Sequence, residues 1–483
     1  MGGGAQSQPI VATNIAGHTA LLIVGSHGTL KAYDALSGAL IWQQALPTQS
    51  VQACGTAGIA GTALYDATLG EVFVAAGNGS SPNHVVMYGL SVATGAIAGS
   101  VDVTPNLVNG EDTTGHTGVT LANGLLYVGT GSNCEDGTTS TYPNWLGRVA
   151  AVNPSNMTLV STFYTVYGQG GTSYGGGGVW SWGGVSADTS GNIYASTGNA
   201  ETDDPAGATP PPPIVLAPNE QAGYAEHLIK LSANLSTVED SNYPGFNFNI
   251  GRSNLDYTGV PVLFQPPIGS GCSDLLSATQ AKGGVLVIND TTNLNPPVAT
   301  YAFSTPSGYP YYIGNPGYSP STGLLYAPIS SAGAGSSMQP PGIAAIGNCG
   351  QSIVWSDQFG PDSAAYGQSA TPRSPPTVTS GGVVFMGTPC TPNSSNTGCA
   401  SPGSTIAGAL WAVDANTGTV LNGSNPLVVT ADRIWMPPTV DGDWMWLVDN
   451  SGNLYAFTID TSVPASSVRR ARQIPRPYVI HPD

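Results

Sequence analysis

The chain has 483 residues, of which 8% are charged, whereas about 25% are charged in a typical soluble protein. Its 65 glycines and 39 prolines argue against long helices, coiled coils and α/β enzymes, and its 41% hydrophobic residues argue against disorder. A formal net charge of −17 argues against nucleic acid and anionic membranes as partners, and no apolar run reaches the roughly 18 residues of a membrane-spanning helix.

Residues 1–8 contain neither a charged n-region nor an apolar h-region, so they do not form a signal peptide. We interpret them as an N-terminal leader or as residues added to a mature chain. Six cysteines in a chain with so few charges are typical of an exported protein. We therefore expect a secreted, periplasmic or extracellular protein whose signal peptide is not present in this sequence.

An internal repeat begins at about residue 9. In its clearest copy, 28–42, an alternating apolar strand runs to Asp34, a turn ends in Gly38, and a second strand ends in Trp42. A second clear copy occupies 408–421. Weaker copies, which bring the total to eight units, lie at 84–99, 147–163, 225–238, 283–301, 342–358 and 452–460.

A further pair of strands is expected before each copy, as at 124–130, 191–197 and 323–328. Apolar alternation bounded by Gly, Asn and Asp turns predicts antiparallel hairpins. Four short strands repeated eight times predict an all-β fold, an eight-bladed β-propeller of four-stranded antiparallel blades spanning 9–460. Two unrelated β-sandwiches are the alternative.

The last unit shows three strands, at 434–440, 444–449 and 453–458. Its fourth strand could come from upstream of this sequence or from the basic, Pro-containing C-terminal tail, 461–483. That tail contains Pro477-Tyr-Val-Ile480 and four of the eleven basic residues. It could dock on the acidic body, add a strand to a neighbouring copy and so cause self-association, or form a disordered end.

The six cysteines offer several pairings. Cys390 and Cys399 bracket a short polar loop and are expected to pair with each other. The other four allow three connectivities. We favour Cys54 with Cys134 and Cys272 with Cys349, because each pair lies in adjacent blades.

The repeat Ala-x-Asp-x-x-x-Gly-x-x-x-Trp resembles that of pyrroloquinoline quinone (PQQ) propellers. This superfamily includes quinoprotein alcohol dehydrogenases, polyvinyl-alcohol dehydrogenases, non-catalytic outer-membrane assembly propellers and uncharacterised secreted propellers, to which this chain looks closest. Segment 179–184 with 191–199 resembles the blade that binds the quinone, which implies Trp182 as the floor under PQQ and Asn199 as a calcium ligand. Segment 255–259 resembles the one that carries the catalytic base, which implies Asp256 as base and calcium ligand.

The same resemblance implies three further site residues. Lys282 stands where the family has an Arg or Lys that contacts the quinone oxygens, and we assign it a catalytic role. Asn315 resembles another quinone-contacting Asn, and Glu135 lies where the family places a calcium-binding Glu. Since Thr258 and not a second Asp follows Tyr257, the resemblance points to calcium and not to a lanthanide.

Each of these residues also has a structural interpretation. Asp256 and Asn199 could cap turns between strands, and Trp182 could belong to the core between blades. Lys282 could be a solvated turn residue. Departures from the family pattern add weight to this interpretation, because the adjacent Cys-Cys ring of quinoprotein dehydrogenases is replaced by the single Cys54, and no haem motif is present.

Two functions therefore remain open. The first is a secreted, quinoprotein-like dehydrogenase that oxidises an alcohol or sugar with PQQ and calcium and passes electrons to a separate acceptor. The second is a non-catalytic extracellular propeller with a degenerate quinone site, serving as a scaffold, an adhesin or a self-assembling surface or filament subunit. Fold alone cannot choose between them, because function depends on the site.

Overall fold

A computed structural model describes most of the chain. The residues described are 7–15, 17–26, 28–51, 55–80, 84–107, 113–115, 117–131, 146–166, 175–180, 183–198, 200–201, 224–244, 257–281, 285–303, 314–329, 342–359, 374–392, 399–401, 407–423 and 425–458. Every regular element in these ranges is a β-strand, and none of them contains a helix long and apolar enough to cross a bilayer. The chain divides into two compact units, Met1–Pro261 and Val262–Asp483.

The first unit contains blades 1 to 4, each an antiparallel sheet of strands that follow one another in the chain. Blade 1 consists of β1 (Ile10–Ile15), β2 (His18–Ser26), β3 (Thr29–Asp34) and β4 (Leu40–Ala45), and is followed by the hairpin of β5 (Gln49–Val51) and β6 (Gly55–Ala57). Blade 2 consists of β7 (Leu64–Asp66), β8 (Glu71–Gly77), β9 (Val85–Ser91) and β10 (Ile97–Asp102). Blade 3 consists of β11 (Thr114–Gly115), β12 (Thr120–Ala122), β13 (Leu125–Gly131), β14 (Arg148–Asn153) and β15 (Thr158–Tyr164).

Blade 4 closes the first unit and is accompanied by a short two-stranded sheet. The two-stranded sheet pairs β16 (Gly175–Gly176) with β19 (Ala200–Glu201). Blade 4 itself consists of β17 (Ser186–Ala187), β18 (Ile193–Ser196), β20 (Leu228–Leu231) and β21 (Val238–Asn242). The short sheet therefore extends beyond the end of β18, on the path between β18 and β20.

The second unit contains blades 5 to 8. Blade 5 consists of β22 (Val262–Phe264), β23 (Leu276–Gln280), β24 (Val285–Asp290) and β25 (Ala299–Ala302). Blade 6 consists of β26 (Gly317–Ser319), β27 (Leu324–Ile329), β28 (Gly342–Gly347) and β29 (Ser352–Gln358). Blade 7 consists of β30 (Thr377–Val378), β31 (Val383–Pro392), β32 (Cys399–Ser401), β33 (Ala407–Asp414) and β34 (Val428–Thr430), and blade 8 of β35 (Thr439–Asp441), β36 (Trp444–Val448) and β37 (Leu454–Thr458).

These sheets confirm the predicted all-β fold, an eight-bladed β-propeller. The core lies between neighbouring blades, so that Ile23 and Leu30 of blade 1, for example, pack with Val72 and Val74 of blade 2. Second strands such as β8 are covered on both faces, which explains why their sequences are continuous apolar runs, whereas the outer strand β10 contains no fully buried residue. The repeat therefore buries its apolar surface only when blades stack.

The Gly and Trp of the repeat have a shared structural role. The Trp42 indole N–H of blade 1 donates to the Val92 carbonyl of blade 2 over 2.8 Å. A Cβ at Gly95, whose φ is 73°, would lie only 2.5 Å from the Trp42 ring. Blades 6 and 7 repeat this contact, with Trp355 against Gly418. The glycine of one blade thus leaves space for the tryptophan of the preceding one.

The Asp of the repeat holds the turn that follows it. One Asp34 carboxylate oxygen accepts hydrogen bonds from the backbone N–H groups of Leu36 and Ser37, and the other contacts the His18 ring at 2.7 Å. Partial burial alone would raise the pKa of Asp34, but these hydrogen bonds outweigh it and lower the pKa to about 2. Asp414 accepts the equivalent backbone bonds from Asn416 and Thr417.

Two strand boundaries differ from the sequence-based expectation. In the copy at 408–421 the second strand is reduced to one bridge between Val413 and Val420, and the outer strand β34 begins only at Val428. In the last unit, the strand expected from residue 434 begins at Thr439. The reason is the Pro437-Pro438 pair, which has no N–H group to donate to a ladder.

A disulfide joins Cys272, between β22 and β23, to Cys349, in the turn after β28, and confirms that predicted pairing. Cys390 and Cys399 lie on the neighbouring strands β31 and β32, whose register pairs Pro392 with Cys399. Their disulfide stays a prediction. Cys54 and Cys134 lie outside the described residues, as do the tail from residue 461 and its predicted self-association.

Candidate functional site

Most of the predicted site residues fall outside the described ranges: Trp182, Asn199, Asp256 and Lys282 each adjoin a described residue, whereas the described residue nearest to Glu135 is Gly131. The residues outside are Glu135, Trp182, Asn199, Asp256 and Lys282. Asn315 is described and half-buried, and its side-chain amide donates to the Pro316 carbonyl over 3.2 Å. The roles of all six residues stay predictions, and the described segments beside them define the regions of the fold to which they belong.

The segments around residues 131, 180 and 198 contact one another in the first unit. The Gly198 N–H donates to the Gly178 carbonyl over 2.7 Å, and the Val179 N–H donates to the Thr130 carbonyl over 3.0 Å. The buried Trp180 ring lies directly against Gly131, where a Cβ would come within 2.8 Å of it. The described segments that end at residues 131, 180 and 198 therefore lie side by side.

The segment that follows Asp256 joins the same region. The Ser196 hydroxyl, at the end of β18, donates to the Gly259 carbonyl. Tyr257, the residue after Asp256, is fully buried. Described residues next to three of the predicted site positions, Trp182, Asn199 and Asp256, thus belong to one connected set of contacts at the end of blade 4.

Glu226 lies at the centre of these contacts, and the sequence interpretation did not select it. Its N–H donates to the Gly198 carbonyl over 2.8 Å, and its side chain is buried, with 4% of the residue exposed. Its φ of 59° lies in the left-handed region, which is unusual for a residue other than Gly, Asn or Asp. The sequence offers no motif here, because Glu226 belongs to a weak copy of the repeat.

The negative charge of Glu226 acts on two tyrosines. Burial, and then the charge and hydrogen bonding of Glu226, raise the pKa of Tyr243 to about 12. Complete burial raises the pKa of Tyr257 much further, and the Glu226 charge adds to this effect. Both phenols are therefore neutral at physiological pH, and Tyr243 acts as a hydrogen-bond donor to the carboxylate.

His227 follows Glu226 and packs among aromatic rings. Its ring centroid lies 5.4 Å from that of Tyr243 and 5.7 Å from that of Tyr224. Burial lowers the pKa of His227, against the opposing effect of a contact with the Ala225 carbonyl. The imidazole is therefore neutral at pH 7 and does not offset the negative charge of Glu226.

A second group of contacts involves blades 5 and 6 of the second unit. Gln280 lies two residues before Lys282 and is buried. Its side-chain amide donates to the Pro328 carbonyl over 2.7 Å. Gly317, at the start of β26 and two residues after Asn315, pairs with Tyr326, which lies in β27 two residues before Pro328. The segments leading to Lys282 and to Asn315 therefore reach the same end of these two blades.

No group of three or more His, Cys, Asp and Glu side chains in the described ranges is arranged to hold a metal ion. The predicted calcium ligands all lie outside those ranges. As a donor set, a Glu carboxylate, an Asn amide oxygen and an Asp carboxylate match the hard oxygen ligands that Ca²⁺ prefers.

Comparison with known proteins identifies the fold. No protein-family model matches the chain, and no curated protein does. Among solved structures it is similar to the quinohemoprotein alcohol dehydrogenase from Comamonas testosteroni, with 16% identity over 94% of this chain and 70% of that one and a TM-score of 0.61. It is similar to a europium-containing methanol dehydrogenase, with 15% identity over 94% and 84% of the two chains and a TM-score of 0.57.

The chain is also similar to BamB from Moraxella catarrhalis, with 10% identity over 95% of this chain and 97% of that one and a TM-score of 0.51. At these identities, the comparisons show a shared fold. That fold is the β-propeller, which the repeat predicted.

Proposed function

We propose that the protein is a secreted, quinoprotein-like dehydrogenase that oxidises an alcohol or a sugar with PQQ and calcium. The observation that supports this proposal is that the described segments next to Trp182, Asn199 and Asp256, which are far apart in the sequence, contact one another, and that Trp180 also packs against Gly131, the last described residue before Glu135. If the side chains that follow these segments converge as well, they would bring a tryptophan, an amide and carboxylates together, a combination that a purely structural repeat does not require.

The donor set fits the proposed groups. Glu135, Asn199 and Asp256 would hold calcium through oxygen atoms, and Trp182 would offer a flat apolar surface to a flat cofactor. When bound, PQQ supplies the acceptor for the substrate's hydride, chemistry that side chains lack.

The chain's own residues bind, orient and deprotonate the substrate. The Asp256 carboxylate takes the proton of the substrate hydroxyl, provided that the two oxygens come within hydrogen-bond distance. Lys282 and Asn315 would help to hold the cofactor by donating hydrogen bonds to it. The carboxylates of Glu226 and Asp256 give the region negative charge, which favours a cation and a neutral substrate over an anionic one.

The similar solved structures point to the same substrate class. Two of them are named as an alcohol dehydrogenase and a methanol dehydrogenase. Because the sequence has no CxxCH motif for a covalently attached haem, we expect electrons to pass to a separate acceptor. The Cys272–Cys349 disulfide is consistent with an oxidising compartment outside the cytoplasm.

Titration of the purified protein with PQQ and Ca²⁺, followed by calorimetry and quinone absorbance, tests this proposal. We expect one PQQ to bind per chain, and binding to be lost in Trp182→Ala and Asp256→Ala. The exposed Asp441→Ala is the matched control and should bind as the wild type does. Absence of binding at high cofactor concentration would show that the quinone site is degenerate.

A second candidate function is a non-catalytic, self-associating extracellular propeller. It is favoured by blade 8, which has three described strands, so that β37 pairs with β36 and with no other described strand. The proposed occupant of the free edge is the tail of a second copy, added as a strand through Pro477–Ile480. Deleting 463–483 should then reduce the molar mass measured by light scattering to that of a monomer. An unchanged molar mass would contradict self-association through the tail.

A further inference from the structure

Four large aliphatic side chains of blades 1 and 2 are exposed at one end of the first unit. They are Leu36, Leu40, Leu69 and Ile97, with exposed fractions of 46%, 49%, 38% and 46%. The first two belong to the β3–β4 turn and the start of β4, and the others to the β7–β8 turn and the start of β10. The first and third turns of an antiparallel blade lie at the same end of it, and neighbouring blades repeat this arrangement. Single exposed aliphatic residues are ordinary, but four at one end of two adjacent blades form a patch.

The Trp42 indole connects the turns of the two blades beneath this patch. Its N–H donates to the Val92 carbonyl over 2.8 Å. The Val92 N–H donates in turn to the carbonyl of Gly70, the residue after Leu69, over 3.0 Å. Leu40 lies two residues before Trp42 in β4. Hydrogen bonds therefore link the backbone beside Leu69 to the strand that carries Leu40.

The third turn of blade 2 contacts the same ring. A Cβ at Gly95 would lie only 2.5 Å from Trp42, so this turn packs directly on the indole. Ile97 follows two residues later. Leu40, Leu69 and Ile97 are thus grouped around one buried tryptophan, although they come from three different hairpins.

The two leucines of the turns are held in place by carboxylates. The Leu36 N–H donates to the Asp34 carboxylate over 3.2 Å, and the Leu69 N–H donates to the Asp66 carboxylate over 3.3 Å. Each exposed leucine is therefore fixed next to a negative charge before any partner arrives. A fixed backbone lowers the entropy cost of binding.

The turns themselves do not require leucine. In blade 7 the exposed Asn416 occupies the position of Leu36 and donates its N–H to the Asp of its own turn over 2.9 Å. In blade 6 Thr322 occupies the position of Leu69, directly before the glycine that closes the turn. Because the fold accepts polar residues at both positions, the turn geometry does not explain why aliphatic side chains face solvent in blades 1 and 2.

Acidic groups border the patch. They are Asp34, Asp66 and Glu71, and Lys31 is the only Lys or Arg in residues 1–107. Two copies of this surface would repel each other, and an anionic surface would be repelled as well. The complementary partner is a protein segment that presents aliphatic side chains together with Lys or Arg.

We propose that this end of blades 1 and 2 is a docking surface for such a basic, aliphatic segment of a partner protein. The four aliphatic side chains would form the apolar centre of the interface, and the three carboxylates would form its charged rim. The inference is independent of the proposed quinone chemistry, because none of these residues belongs to the candidate functional site.

The test is a titration of a dye-labelled peptide of four Leu-Arg repeats with the full chain, followed by fluorescence anisotropy. Peptides of four Leu-Glu repeats and of four Ser-Arg repeats show whether charge and apolar surface are both needed. We expect the Leu-Arg peptide to bind most tightly and its affinity to fall as salt is added. No binding of that peptide, or equal binding of all three, would overturn the inference.

Substitutions then locate the surface. Leu36→Asn and Leu69→Thr introduce the residues found at the same turn positions of blades 7 and 6, and circular dichroism checks that both variants are folded. Each should weaken binding of the Leu-Arg peptide by about fivefold, because about half of a leucine side chain is no longer buried in the complex. Ile353→Thr is the matched control, since Ile353 is 47% exposed near the start of β29 in blade 6, and it should bind as the wild type does. Wild-type affinity in Leu36→Asn and Leu69→Thr, or an equal loss in Ile353→Thr, would contradict a docking surface on blades 1 and 2.

Discussion

Blades 4 and 8 contain the same seven-residue turn at two different hairpins. The sequence Asp-x-Ser-Gly-Asn-x-Tyr occupies 188–194, between β17 and β18, and 449–455, between β36 and β37. In both, one Asp oxygen accepts from the N–H groups of the Ser and the Asn, and the other accepts from the Asn amide and the Tyr hydroxyl. The motif therefore encodes a local turn, whichever strands of a blade it connects.

The surroundings of the two turns differ. In blade 4 the Asn123 amide of blade 3 donates to the Gly191 carbonyl over 2.9 Å, and Asp188 is half-buried. In blade 8 the turn is held by Asp432, which accepts from the Ser451 hydroxyl over 2.7 Å, and Asp449 is fully buried. The same hydrogen bonds should therefore contribute differently to stability.

The comparison also separates structural residues from candidate functional ones. Asp188 and Asp449 recur with the same partners, so the repeat explains them. Glu226 and Tyr257 have no counterpart in blade 8 among the described residues, and they are buried polar groups that the repeat does not explain. In a repeat protein, residues that depart from the repeat and are costly to bury are the ones to test for function.

Asp449→Ala should have the largest effect on stability. It removes four acceptor interactions and leaves buried donors, including the Asn453 amide and the Tyr455 hydroxyl, without that partner. We expect the free energy of unfolding to fall by about 3–4 kcal/mol. Denaturant unfolding followed by tryptophan fluorescence measures the loss, with the exposed Asp441→Ala as control. A loss as small as that of the control would show that the network is dispensable.

Asp188→Ala should cost less, although it breaks the same set of bonds. Water can reach this half-buried turn and replace part of the lost bonding, so we expect a loss of about 1–2 kcal/mol. The same unfolding experiment gives the value. Equal losses for Asp188→Ala and Asp449→Ala would contradict the argument that burial decides the contribution.

Much of the fold could be predicted because its signals are local. Asp34, Gly38 and Trp42 lie within one turn and its two strands, so their spacing is visible in the sequence. Strand boundaries were predicted wrongly where local chemistry competed with the repeat. For example, β35 begins at Thr439 and not at residue 434, because Pro437 and Pro438 cannot donate to a ladder. The pairing of Cys272 with Cys349 was predictable from blade adjacency, because a propeller fixes which turns are neighbours.

The candidate site was less predictable because its contacts are distant in the sequence. Glu226 and Gly198 lie 28 positions apart in the sequence, and the backbone hydrogen bond between them shows that they are neighbours in the fold. The resemblance supplied Trp182, Asn199 and Asp256, but a resemblance does not select a residue that the family pattern lacks. Burial and left-handed backbone at Glu226 are properties of the folded chain, which the sequence alone does not display.

The pH dependence of the blade 4 turn is the smallest effect that the comparison predicts. Partial burial raises the pKa of Asp188, but hydrogen bonds from Asn192, Tyr194 and Ser190 outweigh it and lower the pKa below the ordinary value of 3.8. As the pH falls through 3.8, the unfolded chain therefore takes up a proton before the folded one does. The stability that this carboxylate contributes is complete above that pH and is lost below it.

Asp188→Asn should accordingly reduce stability near neutral pH by less than about 1 kcal/mol, since the turn is open to solvent. The difference between wild type and variant should shrink as the pH falls below 3.8, because the protonated Asp and the Asn are then alike in charge. Urea unfolding of both proteins across the acid range measures this convergence. A stability difference that stays constant with pH would mean that hydrogen-bond geometry, and not ionisation of Asp188, determines what the turn contributes to stability. The contrast with the buried Asp449 would then depend on packing alone.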